Sequence, residues 1–94
     1  MFSVEIYFDK ESENLDELCG AADEIFSAYG MPCIESAFDR RIYGDTGNPK
    51  DIGKLYAAVG KVKRNPPVVS AIVDGYFVRG DIRETLMTNF FAGN

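Results

Sequence analysis

Ninety-four residues, 46% of them hydrophobic, with a formal net charge of −5, make one globular domain, 1–94, with a single thin core. No apolar run approaches the ~20 residues of a membrane span, and the first residues carry Glu5 and Asp9 where a signal peptide has a basic region, so the expected compartment is the cytoplasm. Histidine is absent, which removes the commonest neutral-pH base and metal ligand and leaves any catalysis to carboxylates, arginines, lysines, tyrosines or a carboxylate-held Mg²⁺.

The first predicted element is a strand over Phe2–Asp9. Phe2, Val4, Ile6 and Phe8 alternate with Ser3, Glu5, Tyr7 and Asp9, the period of two of a strand with one buried face. It is expected to run through the middle of a sheet and to end on an acid, Asp9. A polar stretch to Asn14 follows. Asn14 and Glu17 have capping-box spacing, with Asp16 and Glu17 in the first turn where the helix dipole favours acids. Leu15, Leu18, Cys19, Ala22, Ile25, Phe26 and Tyr29 recur at spacings of three and four, one face of a helix that closes on Gly30 and Pro32.

Two short strands are predicted next, at about 33–36 and 38–43. In the second, Phe38, Arg40 and Ile42 share one face and Asp39, Arg41 and Tyr43 the other. With Ile42 directed at the core, Arg41 and Tyr43 are expected on the face of Tyr7 and Asp9. Gly44–Asn48 is turn-rich but lacks the spacing of a phosphate-binding loop. Asn48-Pro49 opens a second helix, with Ile52, Leu55, Tyr56, Val59 and Val62 as its apolar stripe. Gly53 and Gly60 inside it each cost about 1 kcal/mol relative to alanine, which points to a close approach by another element. Asn65-Pro66-Pro67 stops the helix. A long strand is expected over Val68–Arg79, with Ile72 away from the core and a bulge near Gly75. A last short helix is expected from Gly80-Asp81, with Asp81 and Glu84 as its capping box and Ile82, Leu86 and Phe90 as its apolar edge.

Charge divides the chain unevenly. Residues 1–39 hold ten acids and one base, residues 40–64 seven bases and two acids. The first third disfavours nucleic acid and suits a basic protein partner, whereas the middle third can form a local phosphate-binding face. Cys19 and Cys33 make no CxxC motif and read as small buried hydrophobes.

Strand, helix, strand, strand, helix, strand and a short helix is the order of an α+β, ferredoxin-like βαββαβ fold. Right-handed crossovers put both helices on one face of a four-stranded antiparallel sheet. The other face, with Tyr7, Asp9, Asp39, Arg41, Tyr43, Ile72 and Tyr76, is aromatic enough to need a cover, and a homodimer is expected.

The stretch from Phe8-Asp9 through Arg41-Ile42-Tyr43 to Asp51-Ile52-Gly53-Lys54-Leu55-Tyr56-Ala57-Ala58 resembles the virulence-associated protein D (VapD) family. These are small ferredoxin-like proteins akin to the CRISPR adaptation nucleases, and the similarity spans about residues 2–79. It implies a homodimeric endoribonuclease linked to toxin–antitoxin modules. Carried over, it makes Asp9 the catalytic acid, as a base or as the ligand of a Mg²⁺ near the two-fold axis. Arg41, with Arg40, would hold the phosphate, because a guanidinium binds it bidentately. Tyr7 and Tyr43 would stack on bases. The competing expectation is a small acidic, non-enzymatic inhibitor or regulator that binds another protein through its first helix.

Overall fold

A computed structural model describes residues 2–86. The elements are β1 (Phe2–Phe8), α1 (Leu15–Ala28), β2 (Cys33–Ala37), β3 (Arg40–Thr46), α2 (Asp51–Lys63), α3 (Pro66–Ser70), β4 (Ile72–Arg79) and β5 (Ile82–Thr85). The fold is α+β. Its sheet has five strands in the order β2-β3-β1-β4-β5, every neighbouring pair antiparallel. β1 is central, as its apolar alternation requires. Val4, Ile6 and Phe8 are fully buried and form the core with Leu15, Cys19, Ala22 and Phe26 of α1 and Leu55, Ala58, Val59 and Val62 of α2. No described helix is long and apolar enough to cross a membrane.

Several expectations are corrected. The fifth strand replaces the expected C-terminal helix over the described residues. Arg79 pairs with Ile82 across the two-residue turn Gly80-Asp81, and Gly80 has φ 62°, the left-handed conformation that tight hairpins need. The Asp81–Glu84 spacing therefore belongs to a hairpin and caps nothing. Leu86 is buried and its N–H donates to Gly75 O at 2.6 Å; Phe90 lies outside the described residues.

The expected start of the last strand is instead the helical turn α3. Asn65 caps it, its Oδ1 accepting the Val68 N–H at 3.3 Å, and Pro66 takes the first helical position. Asn48-Pro49, expected to open α2 in the same way, instead forms a turn ahead of it: α2 starts at Asp51 with Lys50 in the capping position, and Asn48 Oδ1 accepts the Lys50 N–H at 3.0 Å. Asn14 makes no side-chain cap on α1. The bulge in β4 falls before Gly75. Phe8 pairs with Ile72 and Tyr7 with Asp74, so Val73 is the extra residue. That turns Ile72 into the core, at 6% exposure, and leaves Val73 at 48%.

β3 is turned over relative to its expected phase. Val4 pairs with Tyr43 and Ile6 with Arg41, whereas Glu5 pairs with Ile42 and Tyr7 with Arg40. Residues directly opposite share a face, so Tyr43 and Arg41 point at the helices, and Ile42 and Arg40 point away. The cause is a partner on α1. Tyr43 lies flat on Phe26, with ring centroids 4.0 Å apart, and its hydroxyl donates to Asp23 Oδ1 at 2.7 Å. Burial of an aromatic ring with a satisfied hydroxyl outweighs burial of Ile42.

The α2 glycines need no close neighbour. Apart from the adjoining residues and the helix's own backbone, no described atom lies within 4 Å of a Cβ built on Gly53, and only Arg64 Nη1, at 3.6 Å, comes near one on Gly60. Gly53→Ala is therefore expected to stabilise the fold by about 0.5–1 kcal/mol, read as a raised urea midpoint at constant m-value.

Candidate functional site

The two faces of the sheet carry different chemistry. On the helix side, Asp23 of α1 reaches two residues of β3. Besides the Tyr43 hydroxyl it takes Arg41, with Nε–Oδ1 at 3.3 Å. Arg41 Nη1 also donates to the carbonyls of Ala37 at 2.8 Å and Arg40 at 3.0 Å. Its side chain is 16% exposed. Nε faces α1 and Nη1 the β2–β3 turn, so Arg41 and Tyr43 tie β3 to α1. They are not on the face of Tyr7. Burial, and the hydrogen bond to Asp23, push the Tyr43 hydroxyl far above its usual pKa, and burial raises the Cys19 thiol, so neither is poised for proton transfer.

The sheet face that no described helix covers is built in rows. Arg40, Tyr7 and Asp74 stand side by side on β3, β1 and β4, and Ile42, Glu5, Tyr76 and Thr85 form the next row. Arg40 is half-buried and pairs with Glu35 Oε2 at 3.1 Å. Asp9 leaves the end of β1 beyond Tyr7 and is exposed. Its N–H donates to Ala71 O at 2.7 Å and its Oδ1 accepts the Glu11 N–H at 2.9 Å. These bonds orient the carboxylate at the strand end, and its Oδ2 has no described partner. Of the five expected site residues, Tyr7 and Arg40 stand side by side on the face away from the helices, Asp9 follows the end of β1, and Arg41 and Tyr43 lie on the helix side.

Arg83 is the residue that sequence reasoning missed. From β5 it crosses the sheet to Glu5 Oε1 at 2.7 Å and to the Tyr7 hydroxyl at 3.2 Å. Its guanidinium carbon lies 4.1 Å above the Tyr76 ring, and Tyr7 meets Tyr76 edge to face at 6.0 Å. The Gly80-Asp81 hairpin signal was the way to find it, because a strand after that turn places Arg83 opposite Val78, on this face. The pair is exposed and open to salt. Arg83→Ala is expected to cost only about 1 kcal/mol, part of it cation–π, and that loss should shrink in 1 M NaCl. Thermal melts of both proteins at two salt concentrations check it.

Among the described residues no three of Asp, Glu and Cys gather as a ligand set, and Asp9 offers a single carboxylate. Mg²⁺ is commonly held through one or two carboxylates plus substrate phosphates, so a site would need the Asp9 of a second copy or the RNA itself. Comparison with family models, with curated proteins and with solved structures finds no match for this chain.

Proposed function

We propose that this chain is a VapD-like endoribonuclease of the cytoplasm, acting as a homodimer on a ferredoxin-like sheet, with Asp9 as the catalytic carboxylate. One observation carries this: Asp9 stands exposed just past the end of the central strand, whose outer face no described helix covers, with an oxygen left without a described partner. There it can take the proton of a ribose 2′-hydroxyl. The freed oxygen attacks the adjacent phosphorus, the bond to the 5′-oxygen breaks, and water protonates that leaving oxygen. A 2′,3′-cyclic phosphate results. Arg40, opposite Tyr7 on the neighbouring strand, takes the phosphate role first expected of Arg41, because a guanidinium stabilises the charge that develops on the phosphorane. Its exposed pairing with Glu35 is cheap to break. Tyr7, one row in, offers a ring on which a base can stack.

The experiment is cleavage of a labelled single-stranded RNA by purified protein, compared with Asp9→Ala and with Arg40→Ala. Loss of cleavage in Asp9→Ala with the fold retained supports the assignment; undiminished cleavage overturns it. A specific observation also favours the acidic interaction module. Phe38 is 69% exposed and borders a hollow of about 390 Å³ lined by Glu13, Asp16 and Glu17 at the start of α1. An aromatic anchor in an acidic rim suits a basic protein surface. If the protein cleaves no RNA at all, and Phe38→Ala abolishes binding to a basic protein, that module is the function.

A further inference from the structure

A second surface lies between the C-terminal halves of α1 and α2. Two hollows of about 460 Å³ and 270 Å³ share Ile25, Lys61 and Asn65 and so form one trough. Ala21 and Ile25 of α1 and Tyr29 just past its end, at spacings of four, run along one wall, about 12 Å or two helical turns. Their small and apolar side chains make a floor into which a ridge of side chains can settle. The rims carry opposite charge: Glu24 stands on the α1 side, Lys61 and Arg64 on the α2 side. None of the three belongs to an ion pair among the described residues. Charges that could have closed the trough by pairing across it are left for something else.

We propose that this trough docks an amphipathic helix of another protein. The helix presents an apolar stripe flanked by basic residues on the edge facing Glu24 and acidic residues on the edge facing Lys61 and Arg64. Helix-in-groove recognition uses this anatomy, with anchors at i, i+3 or i+4 and i+7. Complementary charge on the two rims fixes the direction in which the helix lies. A nucleic acid fits less well, because its uniform negative charge would meet Glu24 on one rim.

The test is selection from a library of helix-forming peptides of about 14 residues, four turns, on the intact protein. Counter-selection uses Ala28→Trp, which fills the trough. Enriched peptides are expected to carry the two-edged charge pattern. They should shift the amide signals of Ala21, Ile25, Lys61 and Asn65, and bind Ala28→Trp at least about tenfold more weakly. If Ala28→Trp does not fold, Glu24→Lys combined with Lys61→Glu serves instead. This charge exchange is expected to reverse the preferred pattern. Absence of enrichment over the counter-selected variant overturns the proposal. So do peptides that map elsewhere, peptides indifferent to the charge exchange, and an RNA oligonucleotide that occupies the same residues.

Discussion

Tyr43→Ala is expected to remove about 3–5 kcal/mol of folding free energy, a large part of the 5–15 kcal/mol that holds a typical domain together. Tyr43 is fully buried and lies within 3° of parallel to the Phe26 ring. Its removal leaves a cavity between sheet and helix. It also takes the hydroxyl donor from Asp23 and leaves that carboxylate to Arg41 alone. Tyr43→Phe keeps the ring and loses only the hydrogen bond. It should cost about 1 kcal/mol, because Asp23 is partly exposed and water can replace the donor. Urea titrations followed by circular dichroism separate the two.

The same residue sets an alkaline limit. The folded hydroxyl holds its proton far above the value of an unfolded tyrosine, through burial and the Asp23 contact. Above a pH of about 10 the unfolded chain therefore binds fewer protons than the folded one. Stability from this residue is fully present below that pH and falls as pH rises beyond it. A urea midpoint that does not fall between pH 9 and pH 11, relative to Tyr43→Phe, would contradict this.

The second large effect separates catalysis from architecture. Asp9→Ala is expected to lower RNA cleavage by about 10²–10⁴-fold, the range of a lost general base. The melting temperature should move little, since the side chain is exposed and makes one bond to a turn N–H. Arg41→Ala should do the reverse. Arg41 binds Asp23 and two backbone carbonyls, so its loss lowers stability by about 1–3 kcal/mol. Cleavage per folded molecule should stay intact. Cleavage rates normalised to folded protein, measured alongside melting curves, show which residue belongs to which role. Equal behaviour of the two variants would remove the distinction drawn here.

Much of the scaffold was legible from periodicity. The alternation of β1 and the three-and-four spacing of α1 each have only one arrangement that buries their apolar residues, and both are found. Asp9 could be placed at the strand end for the same reason. α3 was legible in principle, since Asn65-Pro66 is an N-cap followed by proline at the first helical position, but two prolines after a helix read more readily as a stop. The hairpin at Gly80 competed with a capping-box spacing in the same residues. Local signals of equal strength cannot settle such a contest.

From the residues alone came an α+β chain, a central strand and two helices packed on one sheet face, because each buried stripe is long enough to identify itself. Tertiary contacts decided the side of the sheet to which Arg41 and Tyr43 belong. Ile42 and Tyr43 are adjacent and both apolar enough to bury, and a shift of one residue reverses every side chain in a strand. What selected Tyr43 was a carboxylate twenty residues earlier on α1 that could satisfy its hydroxyl. No window of sequence around β3 contains that partner.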